Sequence, residues 1–210
     1  MSFSRFLTVV YLLNVGQLHA ADDNQLPGGY KLVRLRNGVN NVDLDGDGKK
    51  DVVMVGHREN YNAHSFDVTT VFIWTKALDA KGKAELQVVP WQHDAKGLED
   101  SRSPFPLELT TSGGADGLLH DFRLFIDPAK HSAALIVAER EFGESFADSR
   151  PVTFRYYRLA RNQEQTPGEP TVYFATWKDF TSKKSYPGVT TAFQEELGLL
   201  GDGRWAGFED

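Results

Sequence analysis

No cysteine occurs anywhere in the 210 residues. That absence excludes a disulfide framework, a thiol nucleophile and a thiolate metal ligand together. Stability must therefore come from a hydrophobic core. Long apolar runs are missing too, for the single hydrophobic stretch, Phe6 to Val15, is too short to span a bilayer. Basic blocks do not exceed the pairs Lys49-Lys50 and Lys183-Lys184, and 23 Lys plus Arg face 29 Asp plus Glu. Such a balance argues against nucleic acid and anionic membrane surfaces as partners. Nucleophile signatures are scarce as well, since "GESFA" around Ser145 lacks the closing glycine of a strand-turn-helix elbow.

What is present begins with a leader. "MSFSRFLTVVYLLNVGQLHA" carries one arginine, then the apolar stretch, then Ala20 ahead of the polar "ADDNQLPGG". This order predicts a secretory signal peptide over residues 1–20, cleaved after Ala20, and a periplasmic or secreted mature chain over 21–210. About 190 residues suffice for one β-rich domain, with a possible subdivision in the segment near 97–117.

The most constrained motif is "VDLDGDGKKDVVMV", residues 42–55. Coulomb repulsion disfavours so many carboxylates in a compact turn unless a cation or solvent compensates them. Aligned with a calcium loop, Asp43, Asp45 and Asp47 hold positions one, three and five, Gly48 the sixth, Lys49 the carbonyl-donating seventh and Asp51 the ninth. The twelfth position is Met54, within a β-branched run that reads as a strand, so the bidentate glutamate of a helix-loop-helix hand is absent. The expected ion is Ca2+, and the alternative is a solvated Asp-Gly turn. Downstream, "GHRENYNAHSFD" gathers His57, Arg58, Glu59, Asn60, His64 and Asp67 into a polar connection, a candidate ligand loop beside the calcium loop. Its histidines match no zinc or iron spacing.

Elsewhere short runs rich in Val, Ile, Tyr, Phe and Trp alternate with turn residues, predicting strands near 30–36, 51–57, 66–76, 84–91, 118–126, 133–140, 152–160 and 171–178. Three hairpins are expected, around "ALDAKGK", "DPAKHS" and "RNQEQTPGE". The fold class is mainly β, antiparallel hairpins forming a β-sandwich or packed sheets. One C-terminal helix is expected in "GVTTAFQEELGLLGD", capped by Thr190 or Thr191 and stopped at Gly201. The segment "GLEDSRSPFPLELTTSGGADG" reads as irregular. A single copy of the aspartate loop excludes a propeller built on such loops.

The stretch "NGVNNVDLDGDGKKDVVMVGHRENYNAHSFDVTTVFI", with a leader before it and a β-rich remainder, resembles the exported carbapenem intrinsic-resistance proteins of the CarG and CpmJ type. The resemblance implies a periplasmic protein that protects cells from a carbapenem without hydrolysing it, with Asp43, Asp45, Asp47 and Asp51 as the metal site. The chain contains neither Ser-x-x-Lys nor His-x-His-x-Asp, which weighs against serine and zinc β-lactamases. Expected partners are a small molecule or another periplasmic protein. The competing expectation is a secreted calcium-dependent hydrolase with His57 or His64 as general base.

Overall fold

Alternation of apolar and polar residues governs the chain, and in the computed structural model it resolves into strands. Residues 29–64, 66–76, 83–93, 105–114, 117–127 and 129–199 are described. The expected leader, residues 77–82 of the "ALDAKGK" turn and Gly201 lie outside them. The elements are β1 (Lys31–Leu32), β2 (Gly38–Val42), β3 (Asp51–Arg58), β4 (Phe66–Lys76), β5 (Ala84–Val88), β6 (Glu108–Gly114), β7 (Gly117–Asp127), β8 (Ser132–Arg140), β9 (Arg150–Arg161), β10 (Val172–Tyr186) and α1 (Val189–Leu197).

All ladders between these strands are antiparallel. The order is β10-β9-β8-β7-β6-β4-β3-β2, with β1 beside β7 and β5 beside β4, and the ten-stranded sheet does not close into a barrel. Its two halves share one core. Val53 and Val55 of β3, Val71 and Ile73 of β4 and Leu109 of β6 cluster with Phe122, Leu135, Val137 and Phe174 of the other half. The second face of β7–β9 is also covered, because Ala134, Ile136, Phe154 and Tyr156 cluster with Val189, Ala192 and Phe193 of α1. Burial on both faces explains why β8, "SAALIVAER", is apolar almost throughout rather than alternating. The packed-sheet architecture and the C-terminal helix are those the sequence predicts.

Several boundaries differ. The segment read as irregular contains β6, which lies between β4 and β7 and so joins the two halves. β2, "GVNNV", was not expected; it is an edge strand paired with β3. β1 is reduced to Lys31–Leu32, and β5 ends at Val88, after which Trp91 makes an isolated bridge to Phe174. The helix starts one residue after Gly188, which caps it without a side-chain hydrogen bond, so neither Thr190 nor Thr191 is the cap. It ends at Gly198, whose left-handed backbone (φ 64°) lets its N–H reach the Gln194 carbonyl at 3.0 Å. Glu195 and Glu196 thus fall in its second half.

Candidate functional site

The aspartate loop is the turn of the β2–β3 hairpin, whose last registered pair is Val42 with Asp51. Its carboxylates satisfy the loop's own backbone. Asp43 accepts from the N–H of Gly46 (2.8 Å) and Gly48 (3.1 Å), Asp45 from that of Asp47 (3.3 Å) and Asp47 from that of Lys49 (2.8 Å). Asp51 is buried and accepts from Leu44 (2.8 Å) and from Trp74 of β4 (3.0 Å), tying the loop to the sheet. Leu44 is a fully buried plug, and its carbonyl accepts the Ala133 N–H at 2.7 Å.

One carboxylate oxygen each of Asp43, Asp45 and Asp51 lies within 4.8 Å of the other two. Asp47 stands outside this trio and is turned to Lys49, whose ammonium is 3.4 Å away. Lys49 meets Asp47 through both its N–H and its side chain. The Arg161 guanidinium, from the end of β9, pairs with Asp45 and supplies positive charge from outside the loop. Burial raises the Asp51 pKa above the ordinary carboxylate value despite its two backbone donors, and Asp45 and Asp47 push the same way. The Asp47 carboxyl is lowered, chiefly by the Lys49 backbone N–H. An all-oxygen, all-anionic donor set with one buried member suits a hard divalent cation better than a transition metal.

Two glycines shape this loop. Gly46 (φ 75°) and Gly48 (φ 84°) both lie in the left-handed region. A Cβ on Gly46 would sit 2.2 Å from His131 Cβ and 2.5 Å from its carbonyl oxygen, whereas one on Gly48 meets nothing within 4 Å. Gly48→Ala is expected to cost only the backbone penalty of about 1–2 kcal/mol. Gly46→Ala should cost clearly more, because the loop must also withdraw from the β7–β8 turn. Urea midpoints of the two variants measure this, and equal losses would remove any role for the His131 contact.

The candidate ligand loop is built at the other end of β3. Six residue steps separate Asp51 from His57, about 20 Å of extended strand, so the loop does not line the aspartate trio. His57 and Asp67 are registered opposite each other, with Nδ1 2.8 Å from Oδ1, and Glu59 lies 3.7 Å from Nε2. Arg58 covers the Phe66 ring at 5.1 Å. Asn60 donates to the His64 carbonyl at 2.9 Å, and His64 packs on Phe146 with ring centroids 4.6 Å apart. Glu59 and Asp67 are thus not brought to the aspartate loop. Of this loop it is His64 that meets the β8–β9 connection, through Phe146.

That connection is held by a feature the sequence did not single out. Arg140, buried at the end of β8, donates to the Asp148 and Phe146 carbonyls. Beside it the cross-strand row His120, Glu139, Thr153 and Thr181 spans β7 to β10. The His120 nitrogens lie 2.7 Å from the Thr110 carbonyl and 2.9 Å from Glu139, and Glu139 also pairs with Arg155. Only strand register reveals this group, because its members are 35 residues apart in the chain from His120 to Arg155.

The chain is thus an antiparallel sheet folded on itself, capped by one helix and carrying an aspartate loop at one end and a charged loop cluster at the other. The family model described as "Carbapenem resistance protein CarG-like" matches residues 35–195, and the chain belongs to that family. It is also similar to the crystal structure of CarG, with 28% identity and a TM-score of 0.58 over 81% of this chain and 99% of that one. The comparison with curated proteins returns no match. No helix among the described residues is long and apolar enough to cross a membrane.

Proposed function

We propose that this chain is a periplasmic binding module that protects cells from a carbapenem without hydrolysing it, and that a Ca2+ ion steadies its aspartate loop. The observation that carries the reading is the family match, which spans the aspartate loop, the folded sheet and most of α1. The oxygen trio of Asp43, Asp45 and Asp51 supports the ion. When bound, calcium would cancel the mutual repulsion of these carboxylates and take over the neutralising task of Arg161 at Asp45. Asp51, already fixed by two backbone donors, would hold its ligand oxygen in place without reorganisation.

Expression of the full chain in a carbapenem-sensitive bacterium tests the protective reading, with the inhibitory concentration of meropenem as readout. Protection is expected, together with no acceleration of the loss of meropenem ultraviolet absorbance by the purified chain. Catalysed absorbance loss that disappears in His57→Ala would favour a hydrolase, for which the His57–Asp67 pair at 2.8 Å offers an oriented imidazole. Unchanged sensitivity of the cells would defeat the protective reading.

The ion is tested separately by melting residues 21–210 in EDTA and in millimolar calcium. Linkage gives about 2.7 kcal/mol at a hundredfold excess over the dissociation constant, several degrees for a chain of this size. Asp43→Asn with Asp45→Asn should abolish the rise. An equal rise in that variant would place the ion elsewhere.

A further inference from the structure

At the end of the sheet opposite the aspartate loop, a cavity of about 690 Å³ opens over β7–β10. Its volume falls in the range that accommodates a drug-sized molecule. The wall carries His120, Arg140, Arg150 and Arg155 against Glu139 and Glu141, four potential cations to two carboxylates. Behind the wall Asp148 acts on Arg140 and Arg150, Asp121 on His120 and Asp179 on Arg155, so the cavity is a dense cluster of mixed charge that presents guanidinium donors to its opening.

The protonation of His120 follows from its partners. The Thr110 carbonyl, 2.7 Å from Nδ1, can only accept, so Nδ1 carries a proton. Nε2 faces Glu139 at 2.9 Å, and that carboxylate is simultaneously paired with the Arg155 guanidinium. An ionised Glu139 requires a proton on Nε2 as well, which makes the ring an imidazolium. Glu139 is thus shared between two cationic neighbours, with Asp121 acting on His120 and Asp179 on Arg155 as well.

The remaining donors differ in how they are used. Arg140 is committed to the Phe146 and Asp148 carbonyls and shapes the rim. Arg155 uses Nη1 on Glu139, and a guanidinium has five N–H groups in a fixed fork, so further donors remain. Arg150 is half-exposed and its closest acid, Asp148, is 3.9 Å away, beyond hydrogen-bond reach. Thr153 and Thr181, 3.0 Å apart, add two hydroxyls, while Leu119 and Pro151 provide apolar surface.

Resting on the protective reading above, we propose that this cavity is the carbapenem-binding site and that Arg150 and Arg155 hold the carboxylate of the fused-ring nucleus. The threonine hydroxyls face the polar substituents, and Leu119 and Pro151 pack against the bicycle. Binding is non-covalent. The scaffold contributes a rigid wall, since three of the strands involved are paired on both sides.

Titration calorimetry of the full chain with meropenem, and with its carboxyl methyl ester, tests the site. Saturable binding of the free acid is expected, weakened about tenfold or more by Arg150→Gln and by Arg155→Gln, the loss of one charge-assisted hydrogen bond each. The ester should bind the unaltered chain as weakly as the acid binds the variants. Arg150 lies at the surface, so its variant keeps the test sound if Arg155→Gln disturbs folding. Equal affinity for acid and ester, unchanged affinity in Arg150→Gln, or no saturable binding would each overturn the site. Inhibitory concentrations for cells expressing the same chains keep the two readings apart. Protection that persists equally in both variants defeats this site alone, whereas its absence with the unaltered chain defeats the protective reading.

Discussion

Replacing Arg123 with methionine is expected to lower stability by about 3–5 kcal/mol, the cost of leaving a buried charge without its partner. Arg123 and Asp121 are both buried on the helix-facing side of β7 and form an ion pair. Asp121 also accepts from the Thr111 hydroxyl and the Phe122 N–H, each at 2.8 Å, while Arg123 donates to the Phe122 carbonyl at 2.8 Å. The guanidinium lies 4.4 Å from the Phe193 ring of α1. Methionine can occupy much of the arginine stem's volume, so the loss reflects charge more than packing. Without the guanidinium, the buried Asp121 carboxylate keeps the Thr111 and Phe122 donors but loses the charge that offsets its desolvation. For a chain of this size the expected fall in melting temperature is roughly 6–20 °C.

Adding Asp121→Asn to that variant should recover part of the loss, because the amide keeps an acceptor for the Thr111 hydroxyl and carries no charge. Urea midpoints for the two single variants and the double complete the cycle. A loss below about 1 kcal/mol in Arg123→Met would show that solvent reaches the pair and that it behaves as a surface ion pair.

What could be read from the sequence follows from how local its causes are. β3 and β4 were legible because "DVVMV" and "VTTVFIW" are β-branched and aromatic over whole strands. β8 and β9 were legible for the same reason, within two residues at each end. β2 was not, for three of its five residues are Gly or Asn, and its strand conformation comes from the neighbouring β3. β6 hid in "ELTTSGG", where Leu109 and Thr111 supply the buried alternation. Its glycines, which look like a loop signal, answer a steric demand: a Cβ on Gly113 would lie 2.4 Å from the Gly117 carbonyl oxygen. Similarly Gly188 outcompetes the threonines as helix cap in a tight approach, where a Cβ would come within 3.1 Å of the Leu118 N.

The same division applies to the sites. The aspartate trio is local, and its three members fall within nine residues. Its anchors are distant, however: Trp74, His131, Ala133 and Arg161 come from the hairpin ends that the sheet brings to that corner. The cavity group depends wholly on register across four strands, and no spacing rule predicts it. Adjacent sequence placed "GHRENYNAHSFD" near the aspartates, but an extended strand carries neighbours apart at about 3.3 Å per residue.

Acidification is expected to destabilise the chain in large part through Glu139, and Glu139→Gln should lessen that sensitivity. Burial alone would raise this carboxyl; the hydrogen bond and charge of His120, with the Arg155 guanidinium, outweigh it and bring the pKa from 4.5 down to about 2. A depressed acid stabilises the folded state above its unfolded value and loses that contribution as pH falls from about 4.5 toward 2. The shift corresponds to about 3 kcal/mol. His120 has the opposite sign. Its burial would lower the imidazole, but Glu139, the Thr110 carbonyl and Asp121 raise it above 6.5, so its contribution is complete below that value and is lost as pH climbs through the folded pKa. The pair therefore contributes most between about 4.5 and 6.5. Urea midpoints measured from pH 2 to 9 should show this plateau in the unaltered chain. Glu139→Gln flattens the acid limb and, by removing the carboxylate that holds the imidazolium, moves the His120 titration to lower pH. His120→Gln abolishes the fall above 6.5 and, because Arg155 still holds Glu139 down, leaves a shallower acid limb. An acid limb unchanged in Glu139→Gln would assign acid sensitivity to other carboxylates and leave the strand row without its central charge.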